Sequence, residues 1–172
     1  MNTTGLIPET DRELREANME LVRKYVEMLG LEKTERYPLY SDDHRGGLYS
    51  TITGIPPVFT GGKEAKVEFD NRITLLYPDW AHSDLEIYQT EDPSVFLATG
   101  KGFGYVVAPK YDYPYYENFF IHYFKCENGK ITDYQENMNP CVMFNYFKVP
   151  VPVIKRPPRN RDYIDAKHVE GL

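Results

Sequence analysis

Apolar residues recur with two periods along the chain, and the change of period divides it. Leu14, Ala17, Leu21, Val22, Tyr25 and Leu29 fall close to a spacing of 3.6, which predicts an amphipathic helix. Thr10 and Glu13 stand in capping-box register ahead of it, and Gly30 follows as a stop, so the helix is expected over about 10–29. A shorter helical piece is expected over 32–37, ended by Pro38. Gly46-Gly47 opens a predicted strand over 48–53, and 58–60 is its short partner beyond Pro56-Pro57. A third helix is predicted over 63–77, with Ala65, Phe69, Ile73 and Leu76 as its buried stripe.

Beyond residue 84 the period falls to two. Residues 84–90 alternate, Glu91-Asp92-Pro93-Ser94 is a turn, and 95–109 reads as a long strand whose Gly100, Gly102 and Gly104 predict a bulge or bend. A further strand covers 115–126, and Asn128-Gly129 is a strong hairpin signal. Residues 130–147 read as the return strand, interrupted near Pro140. The organisation is thus an arm (1–9), a single domain (10–148) and a proline-rich tail (149–172) suited to the surface or a neighbouring chain. Such a sheet has to curl around its helices to bury one face. The expected fold is α+β: a strongly curved antiparallel sheet wrapped around N-terminal helices, a cone with one internal pocket of the NTF2-like kind.

Composition narrows the function classes. At 172 residues the chain is one ordinary domain, and 20 Lys plus Arg against 26 Asp plus Glu gives a net charge of −6. That balance argues against nucleic-acid binding, which needs a cationic face. No stretch has the roughly 20 apolar residues of a membrane span, and the N-terminus lacks a signal-peptide core, so a cytoplasmic location is expected. Cys126 and Cys141 read as free thiols, and with four scattered His they make no zinc pattern, so neither metal nor cofactor is expected.

Strand parity sorts the candidate chemistry. Tyr116, Asn118, Phe120, His122 and Phe124 share one face of their strand; Tyr134, Glu136 and Met138 share one face of the next. A carboxyl flanked by Tyr134 and Met138 suits a pocket acid/base. On an edge strand the same Glu136 would face solvent, and the residues leave both readings open. His122, among aromatics, reads as a core side chain. Asp42, Asp43, His44 and Arg45 read as a solvated turn, and Gly100-Lys101-Gly102-Phe103-Gly104 lacks the helix of a phosphate loop. The aromatics of 111–124 fit a pocket wall or a subunit interface. Arg36 could bind a substrate carboxylate in bidentate fashion, or form a surface salt bridge.

Several segments carry a family resemblance. GGLYSTITG (46–54), YPDW (77–80), EDP (91–93), YYENFFIHYF (115–124), NGKI (128–131), QENMN (135–139) and VPVPVIKR (149–156) make the chain resemble the PhzA/PhzB phenazine-biosynthesis proteins, of the NTF2-like (SnoaL-like) superfamily. The resemblance covers roughly 14–156. It implies a homodimer that condenses two molecules of a small cyclic amino-ketone carboxylic acid by imine formation, with no metal and no organic cofactor. It also implies Glu136 as the catalytic acid/base, with Arg36 and Tyr116 as substrate-binding residues. Phe69 stands where active members of the family carry a histidine, and Ile73 where they carry a serine. Phe69 is therefore expected to narrow the pocket, leaving Glu136 and Tyr116 as its proton-bearing groups beside Arg36. The alternatives are an accessory ligand-binding protein, or an isomerase or cyclase acting on a more apolar substrate.

Overall fold

The structure is a computed structural model and describes residues 11–48, 62–107 and 115–147. The expected arm 1–9, Thr10, the strand 58–60, most of the strand 48–53 and the tail 149–172 lie outside the described residues. Helix α1 runs Arg12–Glu27 with Asp11, not Thr10, as its N-cap residue. Its buried face is Arg15, Asn18, Val22, Tyr25 and Val26, while Leu14 is exposed. The predicted stripe is therefore rotated. The cause is polar: Arg15 donates to the carbonyls of Thr90 (2.7 Å) and Glu91 (2.5 Å), and Asn18 to that of Pro93 (3.0 Å), tying the helix to a sheet turn.

The next piece is a 3-10 helix, Gly30–Leu39, which takes in Pro38. It leads into strand β1, Tyr40–Leu48, which begins well before the expected strand. The run Asp42–Arg45 is thus strand, and the solvated turn expected there is not present. The Asp42 side chain is almost wholly exposed while His44 is buried, its Nδ1 2.9 Å from the carbonyl oxygen of Ile131. Helix α2 spans Lys63–Leu76. Its fully buried ridge is Lys66, Asp70 and Thr74; the predicted Ala65, Phe69, Ile73 and Leu76 lie beside it, half-buried. Strands β2 (Ala81–Gln89), β3 (Val95–Tyr105), β4 (Tyr115–Glu127) and β5 (Lys130–Met138) follow.

The sheet order is β1-β5-β4-β3-β2. The pairs β2–β3, β3–β4 and β4–β5 are antiparallel, but β1 runs parallel to β5, so the sheet is mixed and not antiparallel throughout. No hairpin joins β1 to β5, and nothing local forces the antiparallel sense. Asn128 and Gly129 both take positive φ, 53° and 71°, as the two-residue hairpin turn requires. The bulge near the β3 glycines belongs to β2: Asp84, at φ 53°, and Leu85 together stand opposite Gly100, while β3 pairs with β4 without a break. Gly102 serves a different purpose, because a Cβ there would lie 2.7 Å from the Phe120 ring and overlap Trp80. After β5 the chain forms helix α3, Pro140–Phe147, not more strand. Asn139 accepts the Cys141 N–H at 3.0 Å, and proline is well suited to a helix's first position.

Two apolar clusters result. Val22, Tyr25 and Val26 of α1 pack on Phe96, Ala98, Phe124, Ile131 and Tyr134 of the sheet. Tyr77, Trp80, Val106, Tyr116 and Phe120 form the second, with Ile73, Leu76 and Met138 against it. Both Cys126 and Cys141 are free. No described helix is long and apolar enough to cross a membrane.

Candidate active site

Residues of both clusters line a cavity of about 170 Å³. Each element delivers side chains to it by its own period. Strand β4 alternates exposed and buried from Tyr115 onward, so Tyr116, Phe120 and His122 all point inward. Strand β5 contributes Tyr134, Glu136 and Met138 from one face. It lies between β1 and β4, so the edge-strand reading of Glu136 does not apply. Helix α2 contributes Phe69 and Ile73 at i, i+4, and the 3-10 helix contributes Arg36. The five residues singled out from the sequence, Glu136, Arg36, Tyr116, Phe69 and Ile73, therefore border one space.

Glu136 sits at the end of a hydrogen-bonded chain. Tyr134 donates its hydroxyl to Glu136 Oε2 at 2.7 Å, and His122 Nδ1 lies 2.8 Å from the same phenol oxygen. Since the phenol proton points to the carboxylate, Nδ1 carries the imidazole proton and donates it to Tyr134. Burial, then Arg36, Lys33 and Lys66, drive His122 down to about 3, so the ring is neutral near pH 7. Burial and then Glu136 push the Tyr134 phenol well above its ordinary range. His122 stacks between Phe120 and Tyr134, with interplanar angles of 8° and 19°.

Other ionisable groups share the walls. Trp80 Nε1 donates to His82 Nε2 at 3.1 Å, and burial, then His122, lowers His82 to about 3. Lys66 is ion-paired to Asp70, and Tyr40 donates to the other Asp70 oxygen at 2.5 Å. Burial opposes Asp70 ionisation, but Lys66 and Arg36 outweigh it and hold the carboxyl below its usual range. Burial pushes Tyr116 up to about 12, and Asn118 donates to its oxygen at 2.9 Å. Arg36 is buried, stacked 3.9 Å over the Tyr25 ring, and donates to the Met28 carbonyl at 2.7 Å.

The expectation of a pocket with Glu136 and Tyr116 as its clear proton-bearing groups is corrected. His122, His82, Tyr134, Lys33 and the Lys66–Asp70 pair also line it. The neighbours of His122 in sequence are aromatic, which reads as core, but one of them, Phe120, is cavity wall. A signal for Lys66–Asp70 was present, as opposite charges at i, i+4 on a helix. Nothing local marked His82. Among the described residues no group of three or more His, Cys, Asp or Glu is placed to hold a metal ion.

Comparison with known proteins shows the family. The family described as "Phenazine biosynthesis protein A/B" matches residues 5–159. Phenazine biosynthesis protein PhzB1 of Pseudomonas aeruginosa is 38% identical over 156 residues, covering 90% of this chain and 96% of its own. The crystal structure of a phenazine biosynthesis-related protein (PhzB2) from Pseudomonas aeruginosa superposes with a TM-score of 0.75 at 35% identity, over 87% of this chain and 97% of that one. An NTF2-like protein of unknown function from Burkholderia pseudomallei shares the fold alone, with a TM-score of 0.55 at 15% identity over 76% of this chain and 96% of that one. The chain belongs to the phenazine biosynthesis protein A/B family, and its fold is an α+β one with NTF2-like neighbours.

Proposed function

We propose that the cavity carries out acid/base-assisted imine formation on a small cyclic amino-ketone carboxylic acid, with Glu136 as the proton shuttle. The observation that supports this most is the chain His122–Tyr134–Glu136, which ends in a carboxyl on the cavity wall. When an amine adds to a ketone, a proton leaves nitrogen and another reaches oxygen. The carbinolamine then loses water, which again needs a proton on oxygen and gives one back from nitrogen as the imine forms. One carboxyl within reach can perform both transfers and ends in its starting state. Arg36 would hold the substrate carboxylate by a charge-assisted pair. Tyr116 would orient the ring, and Trp80 and Phe120 would cover its faces. We propose that the chain works as a homodimer, joined through aromatic side chains on the outer sheet face.

A second reading has its own support. Phe69 and Ile73 make one wall apolar, where the family resemblance implies a histidine and a serine. Such a pocket suits sheltering a reactive ligand without turnover. The test is product formation from freshly generated aminoketone, with the uncatalysed rate subtracted, in the native chain and in Glu136→Gln. A rate above background that is lost in Glu136→Gln supports catalysis. Ligand binding with no rate in either protein supports the sheltering role.

A further inference from the structure

In a 3-10 helix residues i and i+3 eclipse one another. Lys33 and Arg36 are such a pair within Gly30–Leu39, and both line the cavity. They are 7% and 5% exposed. Among the described residues neither has a carboxylate within salt-bridge distance. Arg36 directs one N–H to the Met28 carbonyl, and its Nε has no partner among the described residues. The Lys33 amine rests 4.9 Å from the centre of the Trp80 ring. Buried charges are ordinarily paired or bound to a ligand. Two adjacent buried basic side chains with no carboxylate are a set that lacks an anion.

The surrounding charges do not supply it. Facing Lys33 are Arg36 from its own helix, Glu136 of β5, Asp70 and Lys66 of α2, His82 of β2 and His122 of β4. Asp70 is held by Lys66 and Tyr40, and Glu136 accepts from Tyr134. Both histidines are neutral near pH 7. Burial, then the Arg36 charge, pulls the Lys33 amine well below its ordinary range. An incoming anion reverses both costs, since it offsets the guanidinium and gives the ammonium a hydrogen-bond partner.

We propose that Lys33 and Arg36 together grip one carboxylate of the ligand. This rests on the reading that the cavity accepts an anionic cyclic acid, and it is independent of any bond-forming step. A bound anion raises the proton affinity of Lys33 and so holds its charged form.

The probes are benzoate and its neutral analogue benzamide. Trp80 is the sole tryptophan and lies under the Lys33 amine, so its emission reports occupancy. Benzoate is expected to bind saturably, and benzamide about ten- to a hundredfold more weakly, the scale of a hydrogen bond to a charged group. Lys33→Met should lose most of the affinity for benzoate, while Lys33→Arg, which keeps a charged donor, should retain it, provided both variants melt as folded proteins. Equal binding of the two probes, no saturable benzoate binding, or full benzoate affinity in a folded Lys33→Met would each overturn the proposal. Failure of the condensation assay alone would leave these binding results standing, so the two readings fail separately.

Discussion

Tyr134 and Glu136 stand two residues apart on one face of β5, and the phenol donates to the carboxylate at 2.7 Å. The bond fixes one carboxylate oxygen from within the strand and leaves the other to a ligand. The phenol is in turn fixed by His122 from the neighbouring strand, where His122 pairs in register with Glu136. The carboxylate is thus held in place by a phenol that is itself held.

This arrangement predicts a graded response. Glu136→Gln should lower the condensation rate by about 10²–10⁴-fold, the range for a lost general acid/base. Tyr134→Phe should cost less, since the carboxyl remains and loses only its orientation. It should also move the pH dependence of the rate, because a neutral donor to the carboxylate has gone. Steady-state rates across pH check both; equal losses in the two variants would mean that Tyr134 is part of the chemistry itself.

Two buried histidines, His44 and His122, and the half-buried His82 predict acid lability. Burial first of all lowers His44 to about 4, and His82 and His122 to about 3. The unfolded chain protonates each near pH 6.5, while the folded one does not. Stability is therefore undiminished above that pH and falls as pH drops towards 4, by up to about 1.4 kcal/mol per pH unit for each histidine. Urea midpoints at pH 7.5 and pH 5 should differ accordingly. His44→Gln, which can still donate to the Ile131 carbonyl, should remove about a third of the slope.

Gly102 predicts a packing defect. A Cβ added there meets the Trp80 and Phe120 rings, both fixed in the second cluster. Gly102→Ala should destabilise by about 1–3 kcal/mol, as overpacked cores do. It should also disturb Trp80 emission, since that ring has to move. Urea unfolding measures the first effect and the native spectrum the second.

How much of this was legible beforehand depended on whether the deciding interaction was local. Strand alternation put Glu136, Tyr134 and Met138 on one face, because a half-buried strand has no other way to bury them. The Asn128-Gly129 turn was legible because two adjacent positive-φ residues are a local demand. Helix α1 was legible as a helix but not in its rotation, since Arg15 and Asn18 are buried by carbonyls some 75 positions away. The Asp42–Arg45 strand was hidden because its exposed edge is charged and its buried His44 is polar. Helix α3 had a readable start in Asn139-Pro140, which the strand pattern before it masked. Lys33, His82 and His122 meet only when separate elements converge, and no spacing in the chain encodes that.

The outer sheet face predicts an oligomer. Tyr105, Tyr115, Phe119 and Ile121 are exposed at 55%, 44%, 50% and 44%, on the side of β3 and β4 opposite the cavity. Exposed aromatic and aliphatic side chains on one sheet face fit an interface. Sedimentation at micromolar concentration should show a dimer, and Phe119→Glu should shift it towards monomer without altering the cavity. A native monomer would reject the idea.

Phe69 carries the last prediction. It lines the cavity from α2 one turn before Ile73, within 5.9 Å of the Lys66 ammonium measured to the ring centre. An imidazole there would place a group titrating near pH 6.5 on the wall that now has none of its own. Phe69→His should therefore raise the condensation rate, by an amount at or below the lower end of the roughly 10²–10⁴-fold usual for an acid/base group. Two features hold the gain down. Ile73 offers no hydrogen bond to orient the ring, and the nearby Lys66 charge disfavours imidazolium. Phe69→His with Ile73→Ser should then exceed the single variant, because a hydroxyl one turn away can orient the ring. Single-turnover product formation in the native, single and double variants checks the order. A native chain with full activity, or a double variant no faster than the single, would contradict the assignment of this wall as the limiting feature.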